Sequence, residues 1–171
     1  VETETTLGFA KPKQNHGFAR SLSCLFTFRM SCMKDPVLTE ASVEVVPSDK
    51  VKSGLAQILE LDLTKCTIED FASFQSDFEL KISENCNITA IGGSFDTIFA
   101  QMKSNPVNLS TSPHTSPTHW KQTVFYLEEP IKAQKDEILK GKISVSRPPK
   151  DARGLLVKLE LSGQSRIYDM A

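Results

Sequence analysis

His119 and Trp120 stand side by side, and Trp120 is the only tryptophan of the chain. An imidazole can carry or anchor a proton, and an indole can offer a flat platform to a ligand. Each also has an ordinary role: tryptophan mostly fills cores, and a single histidine mostly satisfies a hydrogen bond. Glu128 and Glu129 invite comparison with a paired-carboxylate centre. Adjacent strand residues point to opposite faces, however, so they read as a solvated strand end before Pro130. Gly92-Gly93 lacks the GxGxxG pattern and a following phosphate-binding helix, so it reads as a bend or bulge. The four cysteines, Cys24, Cys32, Cys66 and Cys86, form no CxxC pair, and with three histidines they supply no zinc-ligand spacing. GxSxG, HExxH and P-loop patterns are absent. The sequence holds no complete catalytic centre.

The elements that would position His119 and Trp120 follow a period of two. Val43 and Val45, then Leu59, Leu61 and Leu63, then Phe78, Leu80 and Ile82 alternate with polar neighbours. The same pattern returns at Thr123 to Leu127, at Ile143 and Val145, and at Val157, Leu159 and Leu161. Such alternation turns one face of each strand to a core and the other to water. Turn signals separate the runs: Ser53-Gly54, Gly92-Gly93, residues 147–151 and Ser162-Gly163. Short helices are expected at 47–57, where Val51 and Leu55 stand four apart, and at 68–74. The expected fold is mainly β, a barrel or sandwich with one or two short helices and no nucleotide-binding half. The longest break, residues 104–118, is rich in Ser and Thr, carries Pro106, Pro113 and Pro117, and runs directly into His119-Trp120. Within it, Ser112-Pro113 and Ser116-Pro117 have the form of phosphorylation sites, although a rigid turn-rich loop explains the prolines equally well.

A length of 171 residues, 39% hydrophobic and 24% charged, suits one globular domain with its own core. The net charge of −1, without a basic stripe, argues against nucleic-acid and anionic-membrane partners. The apolar stretch from Leu22 to Phe28 is too short to span a bilayer and a poor export signal. The chain therefore reads as intracellular, cytoplasmic or nuclear, with reduced thiols and with chance N-x-[ST] triplets at Asn87 and Asn108. It begins at Val1 and so reads as a fragment. Residues 1–27 are polar and without clear periodicity, and an unstructured leader is expected there; residues 28–171 form the domain.

The run Ser110-Thr-Ser-Pro-His-Thr-Ser-Pro-Thr-His-Trp-Lys-Gln-Thr-Val-Phe-Tyr-Leu127 closely resembles the Thr-His-Trp loop and following strand of the protein arginine N-methyltransferases. Met30-Ser-Cys-Met-Lys34, Asp77 to Ile82, Phe95 to Phe99, and Glu137 to Gly141 with Val157 to Leu161 resemble other parts of the same barrel, in the same order. The likeness runs over residues 28–168. The chain departs from the family at Ser94, where an aromatic is usual, and at Thr27-Phe28-Arg29, where Gly-Phe-Asp is common. Residues 1–26 match nothing upstream in the family.

The resemblance implies the substrate-side barrel of an enzyme that methylates arginine side chains of proteins with S-adenosylmethionine. Trp120 and Thr118 would line the arginine pocket, His119 would meet the catalytic half, and Lys121 would hold the loop. The family's glycine-rich cofactor loop and its pair of guanidinium-gripping glutamates are not found in this sequence, so no cofactor is expected on this chain and no activity from it alone. Its partners would be arginine-bearing protein substrates and the missing nucleotide-binding half, with no family-type dimer. Two other readings compete: a non-catalytic truncated isoform acting as an interaction module, and an unrelated intracellular β-sandwich scaffold. Calorimetric titration of the chain with S-adenosylmethionine should give no binding heat; a micromolar constant would overturn this reading.

Overall fold

The computed structural model describes residues 2–10, 38–99, 107–148, 151 and 153–170. Most of the alternating runs become strands, and all the strand ladders are antiparallel. In chain order these are β1 (Glu2–Ala10), β2 (Ser42–Glu44), β3 (Ala56–Asp62), β4 (Ser73–Lys81), β5 (Cys86–Phe99), β6 (Val107–Ser110), β7 (Gln122–Ala133), β8 (Ile138–Ser146), β9 (Leu155–Leu161) and β10 (Gln164–Met170). One sheet has the order β2-β7-β5-β1-β3, with β6 beside the far end of β5. The other has the order β10-β9-β8-β4. The expected mainly β architecture is the one observed.

Four local expectations are corrected. The leader is a strand at its start: β1 is inserted between β3 and β5. Main-chain bonds on both edges hold such a strand without any need for apolar alternation, and its threonines suit a pleated backbone. Residues 11–27 lie outside the described residues, as do Met30 to Lys34, Cys24 and Cys32. The helix expected at 47–57 is only a single 3-10 turn, Ser48–Lys50. Beyond it the chain turns extended, because Ser53 bridges to Ile82 and Gly54 N–H donates to the Lys81 carbonyl at 3.0 Å. Gly92 and Gly93 lie inside continuous β5, paired on both sides, and the ladder irregularity falls between Ile88 and Ala90 instead. Opposite that irregularity β7 accommodates Pro130, which has no N–H to give a ladder. Lastly, Val43 is 54% exposed and Val45 is also exposed, whereas Ser42 and Glu44 are half-buried. Glu44 sits inward because it accepts the Tyr126 hydroxyl at 2.6 Å. The helix expected at 68–74 is confirmed as α1 (Ile68–Ala72), opened by a Thr67–Asp70 capping box.

The main core lies between the sheets and contains Ile58, Phe78, Leu80, Ile88, Ile91, Phe125, Leu139, Ile143, Leu159 and Tyr168. A smaller cluster, Val46, Ala90 and Val124, covers part of the opposite face of the larger sheet. At Gly141 a Cβ would stand 2.4 Å from the Phe78 ring and 2.9 Å from the Glu160 carbonyl, so the position takes no side chain.

The sheets close on each other without continuous ladders. At one seam, residues 52–54 meet the end of β4. At the other, Ala41 N–H donates to Asp169, and three alternate residues of β10 reach β7. Gln164 bonds both the N–H (3.3 Å) and the carbonyl (3.0 Å) of Glu129. Arg166 pairs with Glu128 at 3.0 Å, and the Tyr168 hydroxyl donates to the Tyr126 carbonyl at 2.7 Å. The Tyr168 ring also meets Phe125 edge-on, with centroids 5.1 Å apart.

Tyr168 is wholly buried, and burial pushes its phenol up to about 12. A raised phenol means that the unfolded chain loses this proton first. Its contribution is intact below the ordinary phenol range near 10 and declines as pH rises from there towards 12. Tyr168→Phe should cost about 1 kcal/mol or somewhat more at neutral pH. It should also flatten the alkaline fall in stability, as read by denaturant midpoints at pH 8, 10 and 11.

Candidate functional site

The site residues sit on the loop 111–121, between β6 and β7, and the strands on either side determine where that loop can go. β5 is the longest strand, and Ile91, Phe95 and Phe99 share one of its faces. Ile91 belongs to the main core, Phe95 is half-buried, and Phe99 is exposed opposite exposed Val107. The apolar row thus runs from the core out past its edge. Val124 is 2% exposed and belongs to the small cluster on the other face, so it lies outside this row.

The start of the loop is tied to β5 by Thr111. Its N–H and its hydroxyl donate to the Phe95 carbonyl at 3.0 and 2.9 Å, and its hydroxyl oxygen accepts the Phe95 N–H at 2.8 Å. Ser112 is buried, accepting at its hydroxyl from His114 N–H, and Thr115 closes a turn back on it. Ser116 is exposed, so the two Ser-Pro dipeptides differ in access.

The loop ends in a tight turn. Lys121 N–H donates to the Thr118 carbonyl at 3.1 Å, which places His119 and Trp120 at the two central positions. Lys121 has a φ of 56°, a left-handed conformation that only a well-determined surround holds for a residue with a Cβ. The His119 and Trp120 rings stack with centroids 3.7 Å apart and planes inclined by 36°. Trp120 meets Phe95 edge-on at 6.2 Å and 75°.

Trp120 is 47% exposed, His119 and Lys121 are exposed, and Thr118 is half-buried. The indole is therefore not core: one face rests on His119, an edge meets Phe95, and much of it faces solvent. Among the described residues, the Thr118 hydroxyl is buried without a partner, as is one carboxylate oxygen of Asp96. An aromatic platform beside an imidazole can take a planar cation such as guanidinium by cation–π contact. It offers no nucleophile and no second carboxylate. Glu128 and Glu129 are far along β7, and both are engaged with β10.

Two supporting residues were not recognised from sequence, Thr111 and Gln122. Both are buried polar groups, at 1% and 4% exposure. Their sequence signal is faint, because a threonine among serines and a glutamine opening a strand look like solvent-facing residues.

The described residues do not form the strand, glycine turn and helix of a Rossmann-type nucleotide site. Such a site needs a parallel strand, a glycine turn and a helix whose N-terminus meets phosphate or ribose. Among the described residues the ladders are antiparallel, and α1 has five residues.

Comparison with known proteins bears on the chain as a whole. A family described as the arginine methyltransferase oligomerization subdomain matches residues 18–166. Protein arginine N-methyltransferase 1 of Chlamydomonas reinhardtii is 35% identical over 135 residues, 79% of this chain and 39% of the relative. That of Dictyostelium discoideum is 35% identical over 138 residues, 81% of this chain and 40% of the relative. The chain thus spans about two fifths of the curated relatives it matches. The Trypanosoma brucei PRMT1 enzyme–prozyme heterotetrameric complex with AdoHcy superposes with a TM-score of 0.89 at 21% identity, over 99% of this chain and 56% of that one. Arabidopsis thaliana protein arginine methyltransferase 10, in an open conformation, superposes with a TM-score of 0.80 at 15% identity, over 99% and 60%. A mainly antiparallel barrel, matched by the family model over residues 18–166, makes one assignment: the chain belongs to the protein arginine methyltransferase family, as its C-terminal barrel domain.

Proposed function

We propose that this barrel supplies the substrate-side wall of an arginine cleft, with Trp120 as the platform for the guanidinium. The single observation that carries this is the indole's position, half-exposed at the barrel rim on a turn braced by Phe95. Guanidinium stays protonated at neutral pH, so an aromatic face can hold it without a proton transfer. Holding it in one orientation is itself a large part of a group-transfer rate. Thr118 sets the turn's first position, and His119, stacked on the indole, is the group that would touch the opposite wall. That wall, the methyl donor and the carboxylates that grip guanidinium belong to a nucleotide-binding half outside this chain, and activity requires both. The setting would be cytoplasm or nucleus, on protein substrates rather than nucleic acid.

A second reading has one specific support: the matching family is described by oligomerization, and the Trypanosoma relative was solved as an enzyme–prozyme heterotetramer. In that reading the barrel serves as an assembly surface without catalysis. Light scattering on the purified chain should show a monomer under the first reading; a discrete, concentration-independent dimer would favour the second.

The cleft reading is tested in a chimera in which the whole chain, residues 1–171 with β1 included, replaces the matching part of the Chlamydomonas relative. The chimera should methylate an arginine-rich peptide. Trp120→Ala in it should lower kcat/KM by about tenfold or more, equivalent to about 1.4 kcal/mol of lost transition-state binding. In the isolated chain the same change should cost only about 1 kcal/mol or less, because the indole is half in solvent. A core indole would cost about 3–5 kcal/mol. Equal loss of folding and activity, with normal turnover per folded molecule, would overturn the proposal.

A further inference from the structure

Gln122 is the most deeply buried amide side chain near the loop, and both ends of its carboxamide are used. Its Nε2 donates to the Thr111 carbonyl at 2.7 Å, and its Oε1 accepts the Val46 N–H at 2.8 Å. These two partners flank the loop from opposite sides. Thr111 is the loop's first residue, held by Phe95, and Val46 follows β2, whose Glu44 pairs with Gln122 itself. Gln122 also follows Lys121, the left-handed residue that closes the His119–Trp120 turn. A single side chain therefore joins the loop's beginning, the loop's end and the neighbouring strand.

The frame closes on the indole. Phe95 supplies the backbone that Thr111 grips and the ring that Trp120 meets. Displacing Thr111 would leave Phe95 N–H without its hydroxyl partner, and displacing Gln122 would leave two buried backbone groups unpaired. Unpaired buried groups are costly, so the frame has one low-energy arrangement. An exposed turn with a strained residue has little else to hold it, since neither His119 nor Trp120 is anchored by burial.

We propose that Gln122, acting with Thr111, is the positioning residue that fixes the His119–Trp120 turn. It touches no substrate and works through the loop base. The inference rests on the cleft reading for its meaning but not for its test.

Trp120 is the sole tryptophan, so its fluorescence reports the turn directly in the unmodified chain. Gln122→Glu keeps the acceptor for Val46 and loses the donor to Thr111. Thr111→Val keeps the shape and loses both hydroxyl bonds, whereas Thr111→Ser keeps them. Leu159→Ala, in the core of the opposite sheet, is the control for general destabilisation. Under conditions where circular dichroism shows each variant folded, Gln122→Glu and Thr111→Val should raise the acrylamide quenching constant of Trp120 by about twofold or more. That follows from local opening becoming several-fold more populated when a hydrogen bond is lost. Ring-to-ring nuclear Overhauser contacts between His119 and Trp120 should weaken in the same two variants. Thr111→Ser and Leu159→Ala should leave both observables at the wild-type values. Unchanged Trp120 observables in folded Gln122→Glu and Thr111→Val would overturn the proposal, as would an equal change in Leu159→Ala. If Gln122→Glu does not fold, Thr111→Val against Thr111→Ser decides the matter. Methyl transfer by the chimera is a separate readout, so a failure of the cleft reading leaves this result standing.

Discussion

A buried backbone amide or carbonyl must have a partner, and at its joints this barrel meets that requirement with side chains as well as with a few backbone bonds. Where β10 approaches β7, the Gln164 carboxamide takes both polar groups of Glu129, as a facing strand residue would. The Tyr168 hydroxyl takes the Tyr126 carbonyl beside it. At the other end of β7, Gln122 takes Val46 N–H and the Thr111 carbonyl, and Thr111 takes both groups of Phe95. Each of these residues stands where a ladder stops and a neighbouring segment turns away. Antiparallel sheets of unequal length can meet edge to edge in this manner without a continuous hydrogen-bonded cylinder.

The candidate site is a product of that unequal length. β5 extends beyond the smaller sheet, so the apolar face that carries Ile91 into the core carries Phe95 and Phe99 out of it. Phe95 then has a free ring edge for Trp120, and the indole is braced without being enclosed. A fully buried tryptophan could not meet a ligand, and an unbraced one would sample many rotamers. Half-exposure on a short turn between these extremes suits a residue that must be both held and reachable. Polar atoms at this rim, the Thr118 hydroxyl and one Asp96 oxygen, are shielded from solvent and unpaired among the described residues.

The sequence was legible where one physical rule decided the outcome. Alternation located β4, β7, β8 and β9, because a strand with one wet face must repeat every two residues. At β3, by contrast, the core residue is Ile58, and Leu63 of the alternating run is 50% exposed. The string around Thr118, His119 and Trp120 was specific enough to name the family before any coordinates. Legibility failed where neighbours outside the local window decided. β1 became a central strand despite its polar residues, because β3 and β5 each offered it a backbone edge. Gly92-Gly93 stayed extended because it was paired on both sides, where a local reading saw only a flexible pair. Val43 and Val45 kept their alternation but lost their core, since β2 lies at the barrel's open edge.

By itself, then, the amino-acid order determined the fold class, the family and the identity of the two rings at the site. These depend on composition, period and a short motif, all of which are local. Only the tertiary structure decided that Trp120 faces outward, that Val124 does not border the apolar row, and that Gln122 and Thr111 hold the loop. Those outcomes turn on which backbone groups at a sheet junction are left without strand partners, and that is determined by segments far apart in the chain, as Val46 and Gln122 are at 76 residues.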